Sequence, residues 1–363
     1  MNKKILRETF DPNLNETFRI RELKNGHSVF TVTKNELTNL KVDSTAKPLF
    51  AHIRATSYCN LRCAYCYAAD KTTAEDMSDE NLLKIVEMCH ANGILCITWT
   101  GGEPLMRKNF YDVIHAAYNY GIKQTVLTNG TLVERVFKEK WPKDNINFQV
   151  SLNEVWNKFD NAKESVYKAK KLIDYGYDVV LTIMLEPVSV KQYKKLIEFL
   201  IKEGITNVRF GLKVPAGLGS QDGDASIYEK NIKKIMQELM QLKQWYMDDI
   251  GISYQFEKRL YHETGLPRRF ITCEAGTTEI YIDNNGDVYP CPMLKSSKDF
   301  CCGNVFQNTW ENLWNAPAME TLREVSECEG CKYNCGVWCR ALKFFTDGNL
   351  RGKSRYCLKE LNI

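Results

Sequence analysis

Three cysteines in the stretch CNLRCAYC, Cys59, Cys63 and Cys66, follow an apolar run with three and then two residues between them. A cluster of four irons and four sulfides ordinarily takes four thiolates, so three leave one iron open to an outside ligand, and an open iron is a reaction site. The alternative is a zinc knuckle closed by a distant residue, but structural zinc favours paired C-x2–4-C elbows, which C-x3-C-x2-C matches poorly. A second group, TWTGGEPL, sets Gly101, Gly102, Glu103 and Pro104 behind a strand-like run. Two glycines let backbone come close to a bound ligand, and Glu103 offers an acceptor. A third group is the cysteine-rich C-terminal region. There Cys273, Gly286 and Cys291 stand in the order C-x12-G-x4-C, and Asn285-Gly286 supplies a hairpin turn that brings both thiols toward one metal site. CEGCKYNCGVWC adds Cys328, Cys331, Cys335 and Cys339, with Cys357 beyond. Paired C-x2-C elements serve zinc as well as iron, so a zinc ribbon stays open for this region. Cys89 and Cys96 fall in a helix and a strand pattern and are expected as small buried hydrophobes.

The elements that must position these groups divide the chain at about residues 48 and 255. Residues 1–48 are polar, with alternating runs TFRIREL and SVFTVT on either side of Asn25-Gly26, a hairpin pattern. Residues 49–255 alternate β-rich runs with helical ones: FAHIRATS, ILCITWT, QTVLTNG, INFQVSL, VVLTIML and NVRFGLK are the strand candidates. One helix, SDENLLKIVEMCH, opens on Ser78 as a cap with two acids in its first turn. Six strand–helix units predict an α/β fold, a parallel sheet curved into a partial (β/α)6 barrel, with ligands at the C-terminal strand ends. Residues 256–363 lose the periodicity and form the cysteine-rich extension.

Composition narrows the classes. At 363 residues and 42.0 kDa the chain can bury a large core. Its net charge of +4, without a run of five like charges, implies no nucleic-acid partner. No signal peptide or membrane span is evident, and fourteen cysteines in such a chain point to reduced thiols and a cytoplasmic location.

CNLRCAYC at the end of a first barrel strand, followed by GGEP at the end of a second, resembles the radical S-adenosylmethionine (SAM) superfamily. That resemblance implies that Cys59, Cys63 and Cys66 hold a 4Fe-4S cluster whose open iron takes the amino and carboxylate groups of S-adenosylmethionine. A low-potential electron then cleaves the sulfonium, and the resulting 5′-deoxyadenosyl radical abstracts hydrogen from substrate. Tyr65 matches an aromatic position beside the adenine. Gly101, Gly102, Glu103 and Pro104 match the segment that meets the amino group. Thr128 and Asn129 in LTNGT, and Ser151 in VSLNE, match strand ends that contact ribose or carboxylate; Asn153 and Glu154 depart from the family's pattern.

The C-terminal region resembles the SPASM extension, whose members carry two auxiliary clusters, giving three 4Fe-4S clusters in all. VPAGLG at 214–219 and the segment GNVFQNTWENLWNAPAMETLRE fit the same group. By this analogy Cys328, Cys331, Cys335 and Cys357 hold the distal cluster, and Cys273, Cys291 and Cys339 the proximal one. The spacing between Cys331 and Cys335 is shorter than the family's usual one. Seven thiolates do not complete two four-ligand clusters; an eighth is Cys301 or Cys302, or the proximal cluster stays open.

Auxiliary clusters give an electron leaving a substrate radical somewhere to go, so the resemblance implies an oxidase or cross-linking enzyme. Its expected substrate is a ribosomally made peptide, joined by a thioether or carbon–carbon bond, and its expected reductant a flavodoxin or ferredoxin. Sulfatase-type residue oxidation is an alternative, but that group places an acid after the cysteine corresponding to Cys291, and here Pro292 stands there. Small-molecule tailoring of the haem-precursor or cofactor type is another, and a non-catalytic iron-sulfur electron carrier a third. Peptide maturases often carry an N-terminal leader-recognition domain, and residues 1–48 are too few for a complete one.

Overall fold

A computed structural model describes residues 4–12, 16–22, 28–34, 45–69, 75–152, 159–221, 225–254, 273–323 and 339–351. At the N-terminus, β1 (Ile5–Asp11), β2 (Glu16–Glu22) and β3 (Ser28–Lys34) form a small antiparallel sheet in the order β1-β2-β3. The expected hairpin is thus the β2–β3 pair, with Glu22 opposite Ser28, while Asn25-Gly26 lies outside the described residues. The sequence reading missed β1.

All six expected parallel strands form: β4 (Phe50–Thr56), β5 (Cys96–Gly101), β6 (Lys123–Thr128), β7 (Ile146–Ser151), β8 (Asp178–Met184) and β9 (Asn207–Gly211). A further strand, β10 (Gly251–Tyr254), adds in parallel beside β9. The crossovers carry α1 (Asp79–Ala91), α2 (Phe110–Asn119), α3 (Glu134–Lys138), α4 (Phe159–Asp174), α5 (Val190–Lys202) and α6 (Ala225–Trp245). Ser78 caps α1 as its sequence predicts, accepting from Asn81 N at 3.1 Å. The helix buries Leu82, Ile85, Val86 and Cys89, spaced to form one face.

Each strand alternates between two environments. Ala51, Ile53 and Ala55 of β4, Ile97 and Trp99 of β5, and Phe148 and Val150 of β7 pack against the helices in the main core. Trp99 meets Phe110 edge-to-face at 5.6 Å, and its Nε1 donates to Gln124 Oε1 at 2.8 Å. Gln124 in turn donates to Ile114 O at 2.9 Å, so this buried polar pair is fully used. Burying an apolar side chain of this kind contributes about 1.5–3 kcal/mol. The residues between, among them His52 and Arg54 of β4, Thr100 of β5 and Gln149 of β7, alternate to the opposite face of the sheet, which is polar. Cys89 is fully buried, as expected, whereas Cys96 is only partly buried and packs beside Phe18, Ile20 and Leu95.

The C-terminal region continues the barrel sheet. In it β11 (Glu279–Ile282) pairs in parallel with β4, Glu279 opposite Phe50, and then antiparallel with β12 (Asp287–Tyr289), which pairs with β13 (Gly303–Asn304). The ten-stranded order is β10-β9-β8-β7-β6-β5-β4-β11-β12-β13. The β11–β12 pair is the hairpin read from Asn285-Gly286, where Gly286 has φ +89. Beyond it lie α7 (Trp310–Trp314), α8 (Pro317–Arg323) and α9 (Arg340–Asp347). Thr45 N and Leu49 N donate to Thr277 O and Thr278 O at 3.0 and 2.8 Å, and Trp314 Nε1 donates to Thr45 O at 2.9 Å. The residues around 255, where the periodicity fades, lie outside the described set. Among the described residues no helix is long and apolar enough to cross a membrane.

Candidate functional site

The loop bearing Cys59, Cys63 and Cys66 leaves the C-terminal end of β4 and is fastened at both ends. At its start, Thr56 Oγ1 hydrogen-bonds Asp76, whose Oδ1 also accepts from Ser57 N at 2.7 Å. Gly102 N donates to Thr56 O at 2.8 Å and Glu103 N to Tyr58 O at 2.7 Å. A Cβ on Gly102 would lie 2.0 Å from Tyr58 O, and one on Gly101 2.4 Å from Thr56 O. The two glycines therefore make room for the backbone entering the cysteine loop, a different neighbour from the bound ligand expected of them. At its far end Cys66 O accepts from Leu218 N at 3.0 Å, and Gly217, with φ +57, would set a Cβ 2.5 Å from Tyr67 O. The turn at 215–219 thus reaches from β9 across to the loop after β4, closing the mouth of the partial barrel. All three thiols remain partly exposed.

Hydrogen bonds reach the sulfur of Cys59 from Leu61 N at 3.4 Å and Asn129 Nδ2 at 4.0 Å. Burial pushes its thiol up, opposed by these donors and reinforced by the charges of Glu103 and Cys66. Asn129 also donates to Asn60 Oδ1 at 2.9 Å, while its own Oδ1 accepts from Thr131 N at 2.9 Å. Glu103 is wholly buried: Oε1 accepts from Leu105 N at 3.1 Å and Thr128 Oγ1 at 2.7 Å, and Oε2 accepts from Asn129 N at 2.7 Å. Its carboxylate therefore meets the ends of β5 and β6 instead of facing the mouth, where an amino group was expected to meet it. Pro104 follows as the first residue of a 3-10 turn. Burial raises the Glu103 pKa and the three donors oppose it. Glu103→Gln puts an amide NH2 among donors, at a cost of about 1–3 kcal/mol. It is expected to weaken SAM binding through a loosened Asn129 while leaving most of the iron, as measured by anaerobic calorimetry and iron analysis.

Tyr65 is partly buried, with the Lys213 ammonium 5.9 Å from its ring centre and Lys213 paired to Glu186 at 2.8 Å. Ser151 ends β7 on the polar face of the sheet. Asn153 and Glu154 lie outside the described residues.

Two arginines that the sequence reading passed over hold this end together. Arg107, almost fully buried, donates to Ala55 O at 2.6 Å and Met77 O at 2.8 Å and pairs with Asp79 at 2.7 Å. Arg54, buried on the polar face of the sheet, donates to Ala68 O at 2.9 Å and to Asp283 and Asn284 at 3.2 Å each. It joins the exit of the cysteine loop to the hairpin of the C-terminal region. Arg54 had a signal in the sequence, an arginine inside a β-rich run where charge must be paired, and Arg107 had none.

In the C-terminal region Cys273, Cys291 and Cys339 pack on one secondary hydrophobic cluster. Burial pushes the Cys291 thiol up, and the charges of Cys339 and Cys273 add to it. The Tyr67 hydroxyl pairs with Thr100 Oγ1 at 3.3 Å; burial raises its phenol to about 12, the Thr100 bond opposes this, and the charges of Cys66 and Cys291 both add to it. Cys302 is held up to about 12 by burial and by Cys301, whose own thiol is exposed. Cys328, Cys331, Cys335 and Cys357 lie outside the described residues. Among the described residues no three cysteine, histidine or carboxylate side chains gather tightly enough to hold a single metal ion. Ligands at the corners of a four-iron cluster stand farther apart than that. From residue 57 to 69 the loop offers three thiols and no fourth cysteine, histidine or carboxylate, a donor set that fits a cluster with one iron left open.

The model of the radical SAM superfamily matches residues 53–200, and that of SPASM, an iron-sulfur cluster-binding domain, matches residues 273–336. The chain carries a radical SAM domain and a SPASM domain. This radical SAM enzyme is 26% identical over 321 residues to the antilisterial bacteriocin subtilosin biosynthesis protein AlbA of Bacillus subtilis, covering 85% of this chain and 68% of AlbA. It is 24% identical to the mycofactocin maturase MftC of Mycolicibacterium smegmatis, covering 84% and 81%. Its fold is similar to that of Streptococcus suis SuiB bound to precursor peptide SuiA, with a TM-score of 0.64 at 18% identity over 87% of this chain and 75% of SuiB. The cofactors of a radical SAM enzyme with a SPASM domain are S-adenosylmethionine and iron-sulfur clusters.

Proposed function

We propose that this radical SAM enzyme oxidatively cross-links a ribosomally made peptide through a thioether or carbon–carbon bond. The observation that carries the reading is a pair of thiol sets, Cys59, Cys63 and Cys66 after β4 and Cys273, Cys291 and Cys339 on one hydrophobic cluster, with Tyr67 near enough to feel both Cys66 and Cys291. The names of AlbA and MftC, proteins of bacteriocin biosynthesis and mycofactocin maturation, support a peptide substrate.

In this reading Cys59, Cys63 and Cys66 hold the SAM-binding cluster, Cys273, Cys291 and Cys339 the proximal auxiliary cluster, and Cys328, Cys331, Cys335 and Cys357 the distal one, three in all. Held by Cys59, Cys63 and Cys66, the first cluster would supply the electron for reductive cleavage of S-adenosylmethionine, whose deoxyadenosyl group would take a hydrogen atom from substrate. The chain's own residues confine that event. Gly101 and Gly102 fix the entry of the cysteine loop, and Glu103 orients Asn129 against Cys59. Tyr65, Thr128 and Ser151 border the space for the nucleoside. Forming the cross-link removes two hydrogens, one as the atom taken and one as a proton with an electron, and a cluster held by Cys273, Cys291 and Cys339 would accept that electron. Pro292 after Cys291 provides no acid there, which disfavours sulfatase-type oxidation. The reductant is a flavodoxin or ferredoxin and the location cytoplasmic. Residues 1–48, 49–255 and 256–363 serve as accessory sheet, barrel and cluster-bearing extension.

The test is anaerobic co-expression with a short peptide encoded beside the enzyme's gene, followed by intact and fragment masses. The expected result is a loss of two hydrogens per modified site, about 2 Da, abolished by alanine at Cys59, Cys63 and Cys66. An unchanged peptide with 5′-deoxyadenosine still formed would move the substrate to another class.

A further inference from the structure

Resting on the cluster assignment just given, seven cysteines serve two auxiliary clusters, and one ligand position lacks a thiol. We propose that Glu279 fills it, so that the proximal cluster is held by Cys273, Cys291, Cys339 and the Glu279 carboxylate.

Two features of the backbone bring Glu279 to this site. The chain after Cys273 closes on itself: Thr277 N, Thr278 N and Glu279 N all donate to Glu274 O, at 3.1, 3.0 and 2.9 Å, and Gly276 N donates back to Glu279 O at 3.1 Å. Gly276, with φ +67, makes this tight reversal, and Glu279 returns beside the cysteine that precedes it by six residues. The second feature is register. Ile282 lies opposite Val288 and Tyr281 opposite Tyr289. Continued by two residues, the same register sets Glu279 across from Cys291, on the same face of the hairpin. Residues so placed have Cβ atoms about 4.5–5.5 Å apart.

Electrostatics agrees with this placement, since the Cys291 thiol feels the charges of Cys339, Cys273 and Glu279 together. Behind Glu279 stands His52, its Nδ1 3.9 Å from Oε1. Of the two cysteines that could have served instead, Cys301 is exposed, with its thiol toward Gly303 O, and Cys302, which packs on the same hydrophobic cluster as Cys273, Cys291 and Cys339, directs its thiol to Phe300 O. Carboxylate oxygen is an accepted ligand for iron.

The experiment uses the full chain with Cys59, Cys63 and Cys66 replaced by alanine, so that the SAM-binding cluster is absent and any remaining open iron is auxiliary. Iron and sulfide are counted, and electron paramagnetic resonance spectra of the reduced protein are recorded with and without cyanide. The expected result is no cyanide response in this background, a new cyanide-dependent signal on Glu279→Ala, and none on Glu279→Cys, whose line shape differs from the parent's. A cyanide response in the parent equal to that of Glu279→Ala would overturn the proposal, because the site is then open. So would an inert Glu279→Ala, with the response appearing instead on Cys301→Ala or Cys302→Ala. Should Glu279→Ala lose the cluster, Glu279→Cys decides: iron retained with a changed line shape supports carboxylate ligation, and an unchanged line shape overturns it. If Cys273→Ala and Cys291→Ala leave iron and spectra unaltered, the cluster assignment itself fails, an outcome separate from the failure of Glu279 alone.

Discussion

Alanine at Cys59, Cys63 and Cys66 together is expected to abolish 5′-deoxyadenosine formation by the reconstituted enzyme, to the limit of detection, while iron stays bound by the C-terminal region. On the proposed assignment the loss is complete rather than graded, because the three thiolates are then the protein ligands of the cluster that reduces the sulfonium. Iron is retained because Cys273, Cys291 and Cys339 pack on their own hydrophobic cluster, built from Tyr281, Leu294, Phe300 and Leu322. The loop spans few residues between firm anchors at Thr56 and Cys66, so its substitution leaves the strand framework intact. Product formation measured by chromatography, with iron counted on the same sample, checks both halves. Cleavage retained above background would remove the loop from the chemistry, and total iron loss would mean that the two sites are not independent.

Gly102→Ala is expected to cost about 3 kcal/mol or more, at the upper end of what overpacking does, and to lower cluster content in whatever protein folds. The new methyl would sit 2.0 Å from Tyr58 O, 2.4 Å from Tyr58 C and 2.8 Å from Cys59 N, all of them backbone atoms that no rotamer change can move. Relief requires shifting the chain that leads into Cys59, and with it the bond from Glu103 N to Tyr58 O. Gly204→Ala serves as the control: its Cβ meets nothing within 4 Å, so only its φ of +80 is strained, worth about 1 kcal/mol. Denaturant unfolding and iron analysis of the two variants side by side check the prediction. A Gly102→Ala protein with the parent's stability and iron would show that the loop entrance has slack.

The barrel was legible because each of its first six strands is a β-branched run followed by a helix, a local pattern. The cysteine loop and the GGEP segment were legible because their residues adjoin in sequence. What escaped the reading depends on partners far along the chain. β10 is only four residues long and carries little pattern. β11 was recognised as half of a hairpin, but nothing near it in sequence announces that its other edge binds β4. The inward carboxylate of Glu103 escaped for the same reason, since its donors Thr128 and Asn129 lie 25 and 26 residues away. Arg54 meets Asp283 at a separation of 229 residues. The distal cysteines lie outside the described residues, so their assignment still stands on resemblance alone.

The pairing of β11 with β4 also sets an order of events during synthesis. Until Glu279–Ile282 leaves the ribosome, one side of β4 is an open edge with unsatisfied amides, next to the loop that must later take up iron. The barrel can collapse earlier, but it carries that exposed edge through the translation of more than 200 further residues. Truncations ending before β11 are therefore the forms most prone to pair with one another, and a nascent chain that acquires its first cluster early does so on a strand whose second neighbour has not yet been made.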